Sequence, residues 1–232
     1  MDIGIKYGIV KRRRISRDKF YTLVKCFCVD CNALQAAQIC GVNRNTAQRY
    51  FAHFRSLIIA EAWLERERYQ IGNGVEVDES YFGPRRVRGK RGRGAGRKVI
   101  VFGLLKRNGK VFTQVISRAT QREILPIIRQ TVKSGSDIYS DGWRSYDALG
   151  IYGYNHKKVK HEDNEFADGD RHINGIESFW SYTKRRLAKF NGFTREQFGR
   201  FLLESEWRFN HREDTQKQLR KLLKKHKKDT VI

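Results

Sequence analysis

The chain has 232 residues, enough for one well-packed core and a smaller accessory module. Hydrophobic residues make up 39% of it and aromatic ones 12%, as in a folded protein, and no stretch approaches the roughly 20 apolar residues that cross a bilayer. Against 25 Asp and Glu stand 48 Lys and Arg, a formal net charge of +23; a polyanionic partner is expected, and basic residues spread over three regions favour nucleic acid over a membrane surface.

The N-terminal MDIGIKYGIVKRRR lacks the apolar segment and small-residue cleavage site of a secretory signal, so an intracellular protein is expected. Residues 16 to 68 read as helical, with Ser16 and Asp18 as start signals. All four cysteines (Cys26, Cys28, Cys31, Cys40) fall in this region, which suits a reducing compartment. Cys28-Val-Asp-Cys31 is a C-x-x-C without a second one at zinc-ribbon spacing, and Cys40 with His53 is a poor substitute; the cysteines read as small buried helix residues.

Within the same region, ALQAAQICGVNRNTAQRYFAHFRSLI has two apolar-periodic segments around Gly41, with Asn43 or Asn45 available to cap the second. That is the spacing of a helix-turn-helix, and an ordinary helical hairpin has it too. The second helix presents Arg44, Asn45, Thr46, Gln48 and Arg49 near its start, where recognition helices meet base edges and phosphates, and the net charge favours DNA.

After IGNG the texture changes to short β-branched runs. GVEVDESYF is strand-like, and VIVFGLL and KVFTQVI are joined across Arg107-Asn108-Gly109 as a hairpin. Between them GPRRVRGKRGRGAGRK fits neither a Walker loop nor a dinucleotide fingerprint, because Gly83 and Gly89 are wrongly spaced, Lys90 is followed by Arg91 and no helix opens there. Its eight basic residues among positions 85 to 98 suit a loop tracking a sugar-phosphate backbone, with Arg85, Arg86, Arg88, Lys90, Arg91 and Arg93 as DNA contacts; a plain surface loop is the alternative. A helix at QREILPIIRQTV, a short strand at DIYSD, an irregular stretch containing HKKVKH, and long helices near 172–190 and 194–211 complete a mixed α/β order.

Three acids stand in conspicuous places. Asp78 is on the first strand, Asp141 lies where a short strand ends at a glycine, and Glu177 flanks a helical stripe of Ile173, Ile176, Trp180, Thr183 and Leu187. Lys184, two turns on, lies beside Glu177 on the helix surface. Each alone reads first as a solvated or salt-bridged residue, and only the three together point to chemistry. Carboxylates converging on one point repel unless cations neutralise them; Mg²⁺ takes oxygen ligands, and two such ions catalyse in-line displacement at phosphorus.

VEVDESYFG, YSDGWRSYD, HINGIESFWSYTKRRLAKFNG and the later SEWRFNH closely resemble the DDE transposases of bacterial insertion sequences, in the branch related to eukaryotic Merlin elements. The third motif of that family, H-x-N-x-I-E-x-F-W-x-x-x-K, is matched by His172, Asn174, Ile176, Glu177, Phe179, Trp180 and Lys184, and 35 residues separate Asp141 from Glu177. The resemblance implies an RNase H-like mixed sheet with flanking helices over 74–212; the all-α helix-turn-helix domain expected over 1–70 suits the family, and a basic C-terminal tail is expected over 213–232. It makes Asp78, Asp141 and Glu177 the metal-binding triad, for two Mg²⁺ or Mn²⁺ ions. Lys184 then lies near DNA phosphate, Glu76 and Glu79 are bystanders or supporting groups, and Asn174 is a weaker candidate ligand. Many relatives carry an N-terminal zinc ribbon that the C-x-x-C here does not complete.

The expected function is cleavage and strand transfer at terminal inverted repeats by a homo-oligomer on double-stranded DNA, target DNA included. It would work in the bacterial cytoplasm, at the nucleoid. An RNase H-like nuclease or resolvase, or a helix-turn-helix regulator with an inert C-terminal domain, are the alternatives.

Overall fold

A computed structural model of the chain describes residues 15–68, 70–83, 98–107, 109–141, 144–159, 173–190 and 194–226. The chain divides into two units, residues 1–65 with 211–232, and residues 66–210. Among the described residues no helix is long and apolar enough to cross a membrane.

In the first unit the expected helical region, with its turn at Gly41, is three helices. α1 (Arg17–Cys28) starts at Ser16, whose side chain accepts from the Lys19 N–H, and ends before Asp30, which has a left-handed φ of 63°. α2 (Ala33–Cys40) begins with a reciprocal capping box, Asn32 and Gln35 each bonding the other's backbone N–H at 2.9 Å. Gly41, at φ 58°, closes it in the left-handed conformation that favours glycine. Asn43 then caps α3 (Arg44–Arg68), its Oδ1 accepting from Asn45 N–H at 2.8 Å.

The apolar faces meet around Phe27, Phe51 and Phe54, where rings pack edge to face at 5.1 and 5.4 Å. Residues 213–232, expected as a basic tail, hold a helix over Thr215–Lys225 belonging to this unit; Leu219, Leu222 and Leu223 are buried while its lysines face outward. The leucines at positions 219, 222 and 223 have helical spacing, so the segment can bury an apolar stripe despite its charge.

In the second unit, β1 (Val75–Phe82), β2 (Val99–Lys106) and β3 (Val111–Ile116) form an antiparallel meander, followed by α4 (Gln121–Thr131) and β4 (Asp137–Ser140). HKKVKH, expected to be irregular, instead contributes to an edge strand, β5 (Asn155–Lys158), parallel to β4. An edge strand needs pairing on one side only, so four polar residues suffice and no apolar alternation announces it. α5 (Asn174–Ala188) and α6 (Arg195–Asn210) follow; the helix at the end of the chain is α7.

The sheet order is β3-β2-β1-β4-β5, with β4 and β5 parallel to β1: the RNase H-like arrangement. Val75, Val77, Phe102, Leu104 and Ile138 pack with Ile124 and Ile128 of α4 on one face. Val101, Leu105, Val111 and Tyr139 pack with Ile176, Phe179, Trp180 and Phe198 on the other.

Candidate active site

β1 resolves the run of acids in VEVDES by its pleat. Successive side chains alternate between faces, so Glu76, Asp78 and Ser80 share the α5 face, while Glu79 follows Val75 and Val77 onto the α4 face. Parallel pairing sets Glu76 opposite Tyr139, and two residues further along each chain come Asp78 and Asp141. The second acid thus leaves the end of β4 level with the first. Glu177 lies exposed in the first turn of α5, whose stripe Ile173, Ile176, Trp180, Thr183 and Leu187 is buried as expected.

The Asp78 carboxyl reports on all three. Burial pushes its pKa up to about 6, the negative charges of Asp141 and Glu177 add to the rise, and a bond from the Glu79 backbone and one from the Trp180 indole oppose it. The Trp180 bond, Nε1–H to Asp78 Oδ2, is 2.9 Å long. Gly103 makes it possible. It pairs with Asp78 across β2, and a Cβ there would stand 2.5 Å from Cζ2 of the Trp180 ring. A glycine inside a strand marks such close approach, and this was the one signal in the sequence that could have pointed to the indole.

Glu79 is raised further, to about 7, chiefly by burial and then by the charges of Asp78 and Asp141, against the Tyr146 hydroxyl that donates to it at 2.8 Å. Lys184 is exposed with its Nζ 5.8 Å above the ring of Phe82, which lies on the same β1 face as Asp78. Asn174 is exposed at the start of α5.

These carboxylates are hard oxygen donors whose mutual charge already penalises ionisation of Asp78, a donor set that suits a divalent cation. Among the described residues no three His, Cys, Asp or Glu side chains are spaced to hold a metal ion as they stand, so the acids share one electrostatic neighbourhood without forming a closed ligand cage.

Elsewhere, Arg44, Asn45, Gln48 and Arg49 are exposed and Thr46 half-buried along the first turns of α3. Arg85, Arg86, Arg88, Lys90, Arg91, Arg93 and His172 lie outside the described residues. Cys26 and Cys40 are buried, Cys28 and Cys31 half-buried, and burial together with neighbouring Cys40 and Cys31 pushes the Cys26 thiol up to about 12.

SEWRFNH has a structural task. Glu206 accepts from the N–H and hydroxyl of Thr113 at 2.7 Å each, and Asn210 accepts from Val111 N–H at 2.8 Å and donates to its carbonyl at 2.9 Å, so α6 occupies the open edge of β3. Beside them Glu204, fully buried, pairs with Arg186 at 2.6 Å and Arg208 at 2.9 Å.

The ISXO2-like transposase domain matches residues 70–210, and the chain belongs to that family of transposases. It is 44% identical over 104 residues to a transposase-like protein of Haemophilus influenzae, covering 45% of this chain and 84% of that one. To a protein in the transposable element ISH50 of Halobacterium salinarum it is 29% identical over 155 residues, covering 60% of this chain and 53% of the other. Among solved structures it aligns with the pre-cleavage Mos1 transpososome at a TM-score of 0.35 and 10% identity, covering 92% of this chain and 79% of that one. The Mos1 paired-end complex with the left transposon end aligns at 0.31 and 10%, over 90% and 80%.

Proposed function

We propose that this transposase binds the terminal inverted repeats of its own insertion sequence and catalyses metal-dependent strand cleavage and strand transfer, with Asp78, Asp141 and Glu177 as the metal-binding carboxylates. The observation that carries the reading is the Asp78 carboxyl, half-buried on β1 and bonded at 2.9 Å by the indole of Trp180 on the helix that bears Glu177, with the charges of Asp141 and Glu177 adding to the upward push of burial on its pKa. Family membership supports it independently.

Asp78, Asp141 and Glu177 would hold Mg²⁺ or Mn²⁺ through their carboxylate oxygens. A pair of such ions supplies Lewis-acid activation of the attacking oxygen and stabilisation of the leaving one. Trp180 orients the Asp78 carboxylate by its indole N–H. Lys184 presents a cation to DNA phosphate beside the acids. The exposed start of α3, with Arg44, Asn45, Thr46, Gln48 and Arg49, would enter the major groove of the repeat. The basic segment from Arg85 to Arg93 would follow flanking or target DNA, and a homo-oligomer at the bacterial nucleoid would hold two ends together.

The test uses oligonucleotides copied from the ends of the element that carries the gene. Asp78→Asn, Asp141→Asn and Glu177→Gln are each expected to lose Mg²⁺-dependent joining of the element's end to target DNA by at least about 10³-fold while keeping end binding. A variant that still cleaves removes its residue from the site. Hydrolysis without joining in the wild type would instead identify a nuclease or resolvase, and end binding unaccompanied by either reaction a regulator.

A further inference from the structure

Asp78 is flanked on β1 by two further acids, and each reaches a segment carrying one of the other two candidate ligands. Glu76 is 1% exposed and stands two residues before Asp78 on the same face. Its Oε2 accepts the backbone N–H of Ile176, the residue before Glu177, at 2.9 Å. Ile173, which precedes α5, has no polar side chain with which to cap the helix, so a carboxylate from the sheet satisfies one of the first-turn N–H groups and meets the positive end of the helix dipole.

Close approach is built into the helix. A Cβ at Gly175 would lie 2.8 Å from Glu76 Oε2 and 2.9 Å from Leu105 Cδ2, so only glycine lets the first turn of α5 come down onto the carboxylate. The other oxygen of Glu76 lies 3.3 Å from Arg107 Nε, and that guanidinium stacks 3.6 Å over the ring of Tyr139, two residues before Asp141.

Glu79 performs the matching task on the opposite face. Its Oε1 accepts from the Tyr146 hydroxyl at 2.8 Å, and Tyr146, fully buried, ends the short 3-10 turn Arg144–Tyr146 that follows Asp141. The two contacts fasten α5 and the segment after β4 to the same strand, at points two residues before and one residue after Asp78.

We propose that Glu76 and Glu79 are positioning residues that set Glu177 and Asp141 relative to Asp78, Glu76 through the Ile176 N–H and Glu79 through the Tyr146 hydroxyl. This rests on reading the three acids as metal-binding carboxylates. Neither residue would serve as a ligand of the ion. Glu76 is turned into the buried start of a helix, and Glu79 into the opposite side of the sheet.

The test is Mn²⁺ binding to the full chain, followed by the electron paramagnetic resonance signal of the free ion, with the melting curve of every variant recorded. Glu76→Gln keeps an acceptor for Ile176 N–H and is expected to bind Mn²⁺ within about threefold of wild type. Glu76→Met, of similar length without an acceptor, Gly175→Ala, which pushes the helix off the carboxylate, and Tyr146→Phe are each expected to weaken binding about tenfold or more while still melting cooperatively. Wild-type affinity in folded Gly175→Ala and Tyr146→Phe would overturn the proposal even if Glu76→Met failed to fold. Equal loss in Glu76→Gln and Glu76→Met would overturn it as well, because charge and not the hydrogen bond would then be at work. Asp78→Asn separates the two levels: undiminished Mn²⁺ binding there removes the metal reading itself, whereas loss there with wild-type binding in the positioning variants removes this proposal alone.

Discussion

Burial and the neighbouring carboxylates keep Asp78 neutral up to about pH 6 and Glu79 to about pH 7 in the folded chain, above the ordinary carboxylate range of the unfolded one. A folded-state pKa raised in this way favours the folded state in acid; the contribution is complete below about pH 4 and lost as the pH rises through 6 to 7. The metal-free protein therefore bears a penalty at pH 8 that an uncharged isostere escapes. Asp78→Asn, which can still accept from Trp180, is expected to melt higher than wild type at pH 8, by the equivalent of roughly 1–2 kcal/mol after solvent screening, with the gap closing toward pH 4.5. Thermal melts at the two pH values check this, and a gap of the same size at both would mean that the carboxyl is not destabilised by its surroundings.

At the scale of elements, the site is a seam between β1 and α5, and the seam is drawn by side chains that are absent. Gly103 admits the Trp180 ring across β2, and Gly175 admits Glu76 beneath the first turn of α5. Gly103→Ala forces a Cβ into a ring already buried against Phe82 and Phe179. Overpacking of this kind costs on the order of 1–3 kcal/mol; urea denaturation should report such a loss, and an unchanged midpoint would mean that the ring moves aside freely. Much at this scale was legible: β2 and β3 follow from β-branched runs on either side of an Asn-Gly turn signal, the strand before Asp141 from its short DIYSD run, and the buried stripe of α5 from apolar period. β5 and α7 were not, since a polar edge strand and a lysine-rich helix owe their order to partners distant in sequence.

Over the whole molecule, the charge of +23 sets the expectation for binding. If DNA is held mainly through phosphates, counterion release makes affinity fall steeply with salt, by about 10³-fold or more between 50 and 200 mM for six or more contacts. Lys184→Ala should reduce the log–log slope by about 1 and leave Mn²⁺ affinity unchanged. Fluorescence anisotropy with end-bearing DNA across a salt series measures both; an unchanged slope would return Lys184 to the general surface charge.

Composition and periodicity alone set the expectation of a polyanionic partner and determined the helical first region, the mixed α/β order of the second, and the three candidate acids, because charge and the alternation of apolar residues are local properties of a chain. Tertiary structure decided what the acids on β1 do. Strand pleat divides Glu76 and Asp78 from Glu79, pairing brings Asp141 level with Asp78, and two glycines let α5 approach closely enough for an indole and a backbone N–H to meet carboxylates about a hundred residues away. Such contacts depend on which elements become neighbours, and that is settled by packing the complete fold.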